Sequence, residues 1–330
     1  MSTGVVPDPR PYPAYRPFRV RVSRLLALSP HMVRVTFAGP DLAVLGTAGL
    51  DQRIKLLLPV DGRPCDVGAD DEATLRDGTW YTRWRALPDA ERAPLRTYTI
   101  RSARPERCEL DVDMVLHDPA PAEGPATRWL RAARVGDELL VIGPDARSGE
   151  VVGLDWHPGA ARHLLLAGDE TATPAICTIL ESLRHGQAQA FVEVASAADI
   201  LSVYPAAGSR ITWLARDGGC VTAEGVRRDV APHGLLLESA VRGWVTRHTT
   251  AIVGEGAWLR PGTEVEDVDV DTELLWDSPP DPTSGDLYAW VAGEAAMVRD
   301  VRRLLVREVG VPRSNAAFMG YWRDGRPEPQ

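Results

Sequence analysis

Three short segments combine residue types that bind and move charge. The first is Arg96-Thr97-Tyr98-Thr99-Ile100-Arg101. On a strand, positions 96, 98 and 100 face one way and 97, 99 and 101 the other, so charge and hydrogen-bonding groups stand on both faces. A strand buried in a core would not carry them. A guanidinium at Arg96 or Arg101 suits a bidentate phosphate contact, and the Tyr98 ring suits stacking on a flat conjugated system. A threonine hydroxyl, Thr97 or Thr99, can reach a ring nitrogen. The second segment, Gly124-Pro125-Ala126-Thr127-Arg128-Trp129, opens a predicted helix. Backbone N–H groups at a helix start form an anion site, and small residues such as Gly124 and Ala126 let a pyrophosphate approach. The third, Gly168-Asp169-Glu170-Thr171-Ala172-Thr173-Pro174, follows the apolar run Leu164-Leu165-Leu166-Ala167. It places Asp169, Glu170 and Thr171 at the carboxyl end of a parallel strand, where open α/β sheets bind ligands. An N-cap role explains Asp169 or Thr171 equally well but gives a poor account of Glu170.

The elements that must position these groups fall into two halves. Up to about residue 158, short β-like runs dominate: 18–22, 32–37, 54–58, 97–102, 109–116 and 138–142, separated by Gly, Pro and Asp clusters. That is the pattern of an antiparallel barrel. A polar insertion at 61–92, with Trp80 and Trp84, either shapes a substrate mouth or caps the barrel. A helix over 125–134 is closed by Gly136. Beyond 158, apolar strands at 163–168, 190–195, 211–216, 287–293 and 316–322 alternate with helix-period segments at 174–184 and 295–309, the signature of a parallel sheet with crossovers. Domains are therefore expected at 15–158 and 159–330.

Arg96–Arg101 resembles the flavin strand of the siderophore-interacting protein family, the FAD-dependent ferric-siderophore reductases of the ferredoxin-reductase-like superfamily. Further blocks resemble that family in the same order: Val115-Leu116-His117, Gly124–Trp129, Gly136-Asp137, Ile142-Gly143-Pro144, Gly168–Ala172, Gly293-Glu294 and Gly320-Tyr321-Trp322-Arg323. The resemblance covers roughly residues 15–326. It implies an antiparallel six-stranded FAD-binding β-barrel followed by a parallel-sheet α/β domain of the NAD(P)-binding type. It also implies FAD as cofactor, NADPH or NADH as donor with ferredoxin as an alternative, and a ferric siderophore as the substrate from which Fe(II) is released. Arg96, Thr97, Tyr98, Thr99, Arg101, His117, Gly124, Pro125, Ala126, Thr127, Trp129, Gly168, Asp169, Glu170, Thr171 and Trp322 are the cofactor-binding residues so implied, with Glu170 and Thr99 in catalytic roles and no protein metal ligand. His117 reads equally as a strand-end histidine, Trp129 as a packing residue, and Trp322 as a cover for the flavin face or as interface packing. A general NAD(P)H:flavin reductase and a non-catalytic flavin-containing siderophore-binding or electron-transfer module are the alternative functions.

The net charge is −9 with a pI near 5.4, which excludes a net field that would draw the chain to nucleic acid or anionic lipid. Lys55 is the only lysine among 37 basic residues. The basic cluster that the family uses for anionic siderophores must then come from arginine, with Arg303, Arg307, Arg313, Arg323 and Arg326 as candidates. Arg216 is the candidate partner of a 2′-phosphate. Cys65, Cys108, Cys177 and Cys220 are too widely spaced for a CxxC pair and read as free thiols. With no apolar leader and no run of 18 apolar residues, the expectation is a soluble, cytoplasmic monomer.

Overall fold

The computed structural model describes residues 11–117, 123–222, 225–253, 275–281 and 286–325. The first domain is a single antiparallel sheet of β1 (Tyr15–Ser29), β2 (Met32–Ala38), β3 (Arg53–Leu57), β4 (Leu95–Thr99), β5 (Ser102–Arg104), β6 (Glu109–Val115) and β7 (Glu138–Pro144). Their order is β4-β3-β7-β1-β2-β6-β5. Seven strands replace the expected six because the run at 97–102 is split. Ile100 N donates to Gln52 O at 2.8 Å and Arg101 N to Asp111 O at 3.0 Å, so the chain leaves one edge of the sheet at β4 and joins the other at β5. The sheet therefore curls on itself as a half-barrel with β4 and β5 at its two edges. Alternating residues such as Phe18, Val20 and Val22, Ile54 and Leu56, and Leu110, Val112 and Met114 fill its interior, as the period of two requires.

The polar insertion carries α1 (Glu72–Asp77) and α2 (Trp80–Ala86). Trp80 and Trp84 pack with Leu57, Val67, Leu140 and Ile142 on the outer face of the sheet, and Trp84 Nε1 donates to Ala93 O at 3.0 Å. The insertion thus covers the outer face of the barrel sheet. Helix α3 (Pro125–Ala132) closes one end.

The second sheet contains β8 (His163–Gly168), β9 (Gln187–Val194), β10 (Arg210–Ala215), β13 (Trp276–Asp277), β14 (Leu287–Glu294) and β15 (Ala316–Trp322) in the order β10-β9-β8-β14-β15-β13; a two-residue hairpin, β11 (Cys220–Val221) and β12 (Arg227–Arg228), lies apart. Five strands are parallel, but β13 runs antiparallel to β15, so the sheet is mixed rather than purely parallel. Helix α4 (Thr173–Ser182) covers one face through Ala175, Ile176, Ile179 and Leu180. On the other lie α5 (Leu235–Val253) and α6 (Ala295–Arg302), the latter prolonged by a π-helical turn over Arg303–Glu308. Strand order reverses between β8 and β14, and the crevice beyond their carboxyl ends is where such sheets take ligands. Among the described residues no helix is long and apolar enough to cross a membrane. All four cysteines are free, and burial pushes the Cys177 thiol up to about 12.

Candidate active site

Strand β4 sets the barrel side of the site. Arg96 stands opposite Leu56 and Tyr98 opposite Ile54 on β3, whereas Thr97 stands opposite Lys55. Opposed residues of an antiparallel pair share a face. Arg96 and the half-buried Tyr98 therefore flank the barrel interior, and Thr97 faces outward, where Lys55 Nζ donates to its Oγ1 at 2.9 Å. Thr99 is buried opposite Arg53. Helix α3 starts at Gly124 with Pro125 at its first position and no side-chain cap. Among the described residues no side chain caps its first turn, and no atom beyond the chain neighbours lies within 4 Å of where a Gly124 side chain would begin. Ala126 and Thr127 form that first turn, Thr127 buried. Trp129 stacks on Phe37 with ring centroids 6.2 Å apart, which makes it the packing residue between α3 and the barrel. An arginine, a tyrosine on the same face and an uncapped helix start are the donor set that a flavin dinucleotide requires, so the residues present fit FAD.

Arg101 departs from expectation. Its Nη2 donates to Glu181 Oε1 on α4 at 2.9 Å, and its Nε lies 3.7 Å from Asp113 Oδ2. The guanidinium joins the two domains through these carboxylates.

On the other side of the crevice, Asp169 is fully buried. Its Oδ1 accepts from Thr171 N at 2.9 Å and Thr171 Oγ1 at 2.5 Å, and its Oδ2 accepts from Glu294 N at 2.8 Å and Trp322 Nε1 at 2.9 Å. His233 Nε2 lies 3.4 Å from Oδ2. Burial alone would raise the Asp169 carboxyl, but His233, Thr171 and Trp322 together hold it below its usual range. Burial likewise opposes a charge on His233, and the Asp169 carboxylate overrides it, raising the imidazole above its ordinary value. Gly293, at φ +142°, makes this possible: a Cβ there would lie 2.7 Å from the Asp169 carboxyl carbon. Gly168 serves packing in the same way, since a Cβ would meet Ala172 Cβ at 2.5 Å and Ala292 O at 2.6 Å.

Trp322 is thereby held at the seam, its ring centroid 5.5 Å from His117 of the barrel and 5.5 Å from His233. Beside it opens a cavity of about 570 Å³ whose lining includes Glu238, Glu294, Asp300 and Asp324.

Glu170 also departs from expectation, because its carboxylate is not free. Arg216 binds it through both guanidinium nitrogens, Nη1 to Oε2 at 3.0 Å and Nη2 to Oε1 at 3.1 Å, and Nη1 lies 3.5 Å from the buried Glu193. The expected phosphate partner and the residue expected to orient the donor are thus paired with each other. Among the described residues no candidate substrate arginine lines that cavity, although Arg303 pairs with Asp300 of its wall. Arg303 lies 3.6 Å from Asp300, Arg313 lies 3.0 Å from Asp277, and Arg326 falls outside the described residues.

Residues 21–148 match the family of the siderophore-interacting FAD-binding domain, and residues 161–325 match the siderophore-interacting protein family. The chain belongs to the siderophore-interacting protein family. Within reach of this family's members, an uncharacterized protein of Mycobacterium tuberculosis is 29% identical over 315 residues, 94% of this chain and 91% of its own length. The ferric vibriobactin reductase of Vibrio cholerae is 30% identical over 192 residues, 58% of this chain and 63% of its own. A siderophore utilization protein from T. fusca superposes with a TM-score of 0.62 at 25% identity, covering 97% of both chains. A ferredoxin-NADP+ reductase from Plasmodium falciparum, 10% identical, shares the fold with a TM-score of 0.51 over 88% of this chain and 89% of its own.

Sequence reasoning passed over His233, Glu193 and the pair Asp51 and Asp155. Glu193 sits inside the apolar run of β9, where its carboxylate accepts from Gly234 N at 2.7 Å and Leu237 N at 3.0 Å at the start of α5. A carboxylate in the middle of a buried strand was the available signal, since such a charge needs a partner.

Proposed function

We propose that this protein is an FAD-dependent reductase of ferric siderophores, drawing electrons from a pyridine nucleotide and releasing Fe(II). The observation that carries the reading is the seam itself. Arg96, Tyr98 and the open start of α3 stand on the barrel side, and Trp322 is locked opposite by Asp169 at the carboxyl ends of the parallel strands. The ferric vibriobactin reductase among its relatives supports the substrate class.

Arg96 and the N–H groups of α3 would hold the pyrophosphate, Tyr98 would bear on the ring system, and the Thr99 hydroxyl would bond to its edge. Bound FAD supplies a centre that accepts two electrons together and gives them up singly, which a nicotinamide cannot do with iron. Trp322 and His117 exclude water from the seam. Hard catecholate or hydroxamate oxygens bind the trivalent ion far better than the divalent one, so one-electron reduction weakens the chelate and frees the metal. The reaction belongs in the cytoplasm, where nucleotide donors are at hand.

The test is anaerobic turnover of the FAD-loaded protein with a ferric chelate, Fe(II) being read with a ferrous-specific chromophore. Ferrous ion appearing only with enzyme, donor and chelate together supports the proposal. Nucleotide oxidation that is indifferent to the chelate would instead identify a general flavin reductase, and a protein that takes up no FAD would end both readings.

A further inference from the structure

We infer that Glu170 and Asp217 make this protein select NADH over NADPH, an inference that rests on the proposed FAD-linked reductase. The two nucleotides differ by one phosphate on the adenosine ribose. Discrimination therefore comes from the charge available where that ribose lies. In an open sheet whose order reverses between β8 and β14, a dinucleotide crosses the carboxyl ends of β8, β9 and β10. The turns there are 169–173, 195–199 and 216–219, the last packed against a hairpin that carries the exposed Arg227 and Arg228, and the turns themselves contain four carboxylates, Asp169, Glu170, Asp199 and Asp217, against one guanidinium, Arg216.

That guanidinium is occupied. Arg216 is clamped by both oxygens of Glu170 and lies near Glu193, with side-chain exposures of 13%, 10% and 0% respectively. A phosphate could reach it only by displacing Glu170 and leaving a buried carboxylate unpaired, a costly exchange. The backbone donor at the end of β9 is occupied as well. Asp217 accepts from Ser196 Oγ at 2.7 Å and from Ala197 N at 3.1 Å, so an exposed carboxylate already stands where a phosphate would bind. A ribose 2′-hydroxyl, by contrast, can donate to such a carboxylate, the usual arrangement for NAD.

The experiment is anaerobic stopped-flow reduction of the FAD-loaded protein by NADH and by NADPH, in the wild type, Glu170→Gln and Asp217→Asn. The wild type should use NADH with a kcat/KM at least about tenfold higher, equivalent to roughly 1.4 kcal/mol. Glu170→Gln removes the charge that holds Arg216 and should narrow the ratio severalfold, mainly through the KM for NADPH. Asp217→Asn should narrow it independently, and it covers the case in which the buried variant fails to fold. Equal or better use of NADPH by the wild type, or a ratio unmoved in both variants, would overturn the inference. Failure of both nucleotides to reduce the flavin, with photochemically reduced protein still releasing Fe(II), would also overturn it while leaving the reductase standing. If the photoreduced protein releases no iron but NADH still reduces the flavin preferentially, the siderophore reading fails and the nucleotide preference holds.

Discussion

The carboxylate of Asp169 accepts a hydrogen bond from the indole of Trp322 at 2.9 Å across 153 positions of sequence. This bond joins the first turn of the second domain to its last parallel strand and fixes the aromatic ring that meets the barrel at His117. The same oxygen receives Glu294 N at 2.8 Å, so three elements converge on one buried charge.

Removing that charge should be felt in stability before it is felt in chemistry. Asp169→Ala leaves His233 without its counter-charge and the Trp322 N–H without its acceptor, and is expected to cost about 3–5 kcal/mol, the scale for breaking a buried charged pair. Asp169→Asn, which keeps an acceptor oxygen, should cost less. The two titrating partners have opposite signs. Asp169 is depressed, so its contribution is in place above the ordinary carboxylate range and is lost as pH falls through its lowered value. His233 is raised, so its contribution is in place below 6.5 and is lost as pH rises through its raised value. Denaturant melts from acid to mildly alkaline pH should show both limbs in the wild type and a flatter profile in Asp169→Asn. Identical profiles would mean that the pair does not titrate as a unit.

A second buried carboxylate should behave in the opposite sense. Asp51 lies between the domains, accepting from Trp290 Nε1 at 3.0 Å and Asp155 N at 3.0 Å through one oxygen, while the other has no hydrogen-bond partner among the described residues. Burial first, and the neighbouring Asp155 second, push it up to about 6 from 3.8. A folded value above the unfolded one means that the folded state is favoured by protonation and loses stability as pH rises through about 6. Asp51→Asn keeps the acceptor and removes the charge. It should gain up to about 3 kcal/mol on the wild type above that pH and converge with it toward pH 4. Thermal melts across this range decide the matter; a variant that is weaker throughout would show that the Asp51 charge is needed.

The two-domain architecture was legible because period-two runs and helix-period segments occupy different halves of the chain, and β1, β2 and β6 follow from alternation alone. Helix α5 was legible in principle. Leu237, Val241, Trp244 and Val245 repeat at helical spacing, and their burial against the sheet follows from that stripe. What the residues could not reveal is which charges pair at long range. Glu170 and Arg216 are 46 positions apart and Arg101 and Glu181 are 80 apart; each looked available to a ligand because a linear chain does not display its tertiary partners. Gly293 looked like a motif glycine, whereas its requirement comes from the Asp169 side chain crossing from a different strand.

The last prediction separates the two arginines of the flavin strand. Arg96 and Tyr98 share the face that carries Leu56 and Ile54, and in the proposed function Arg96 is the one that meets a phosphate. Arg101 is bound to Glu181 on the second domain. Arg96→Ala should therefore weaken FAD by about 2–5 kcal/mol if the charge pair it forms is desolvated, or roughly one and a half to three and a half decades in Kd. Arg101→Gln should leave FAD affinity within about threefold and instead cost about 1 kcal/mol of stability, the scale of a partly exposed ion pair. Fluorescence titration of the apoprotein with FAD, paired with denaturant melts of each variant, distinguishes the two roles. If Arg101→Gln loses FAD as severely as Arg96→Ala while the melts coincide, then Arg101 exchanges Glu181 for the cofactor on binding, and the domain contact seen here is what FAD must break.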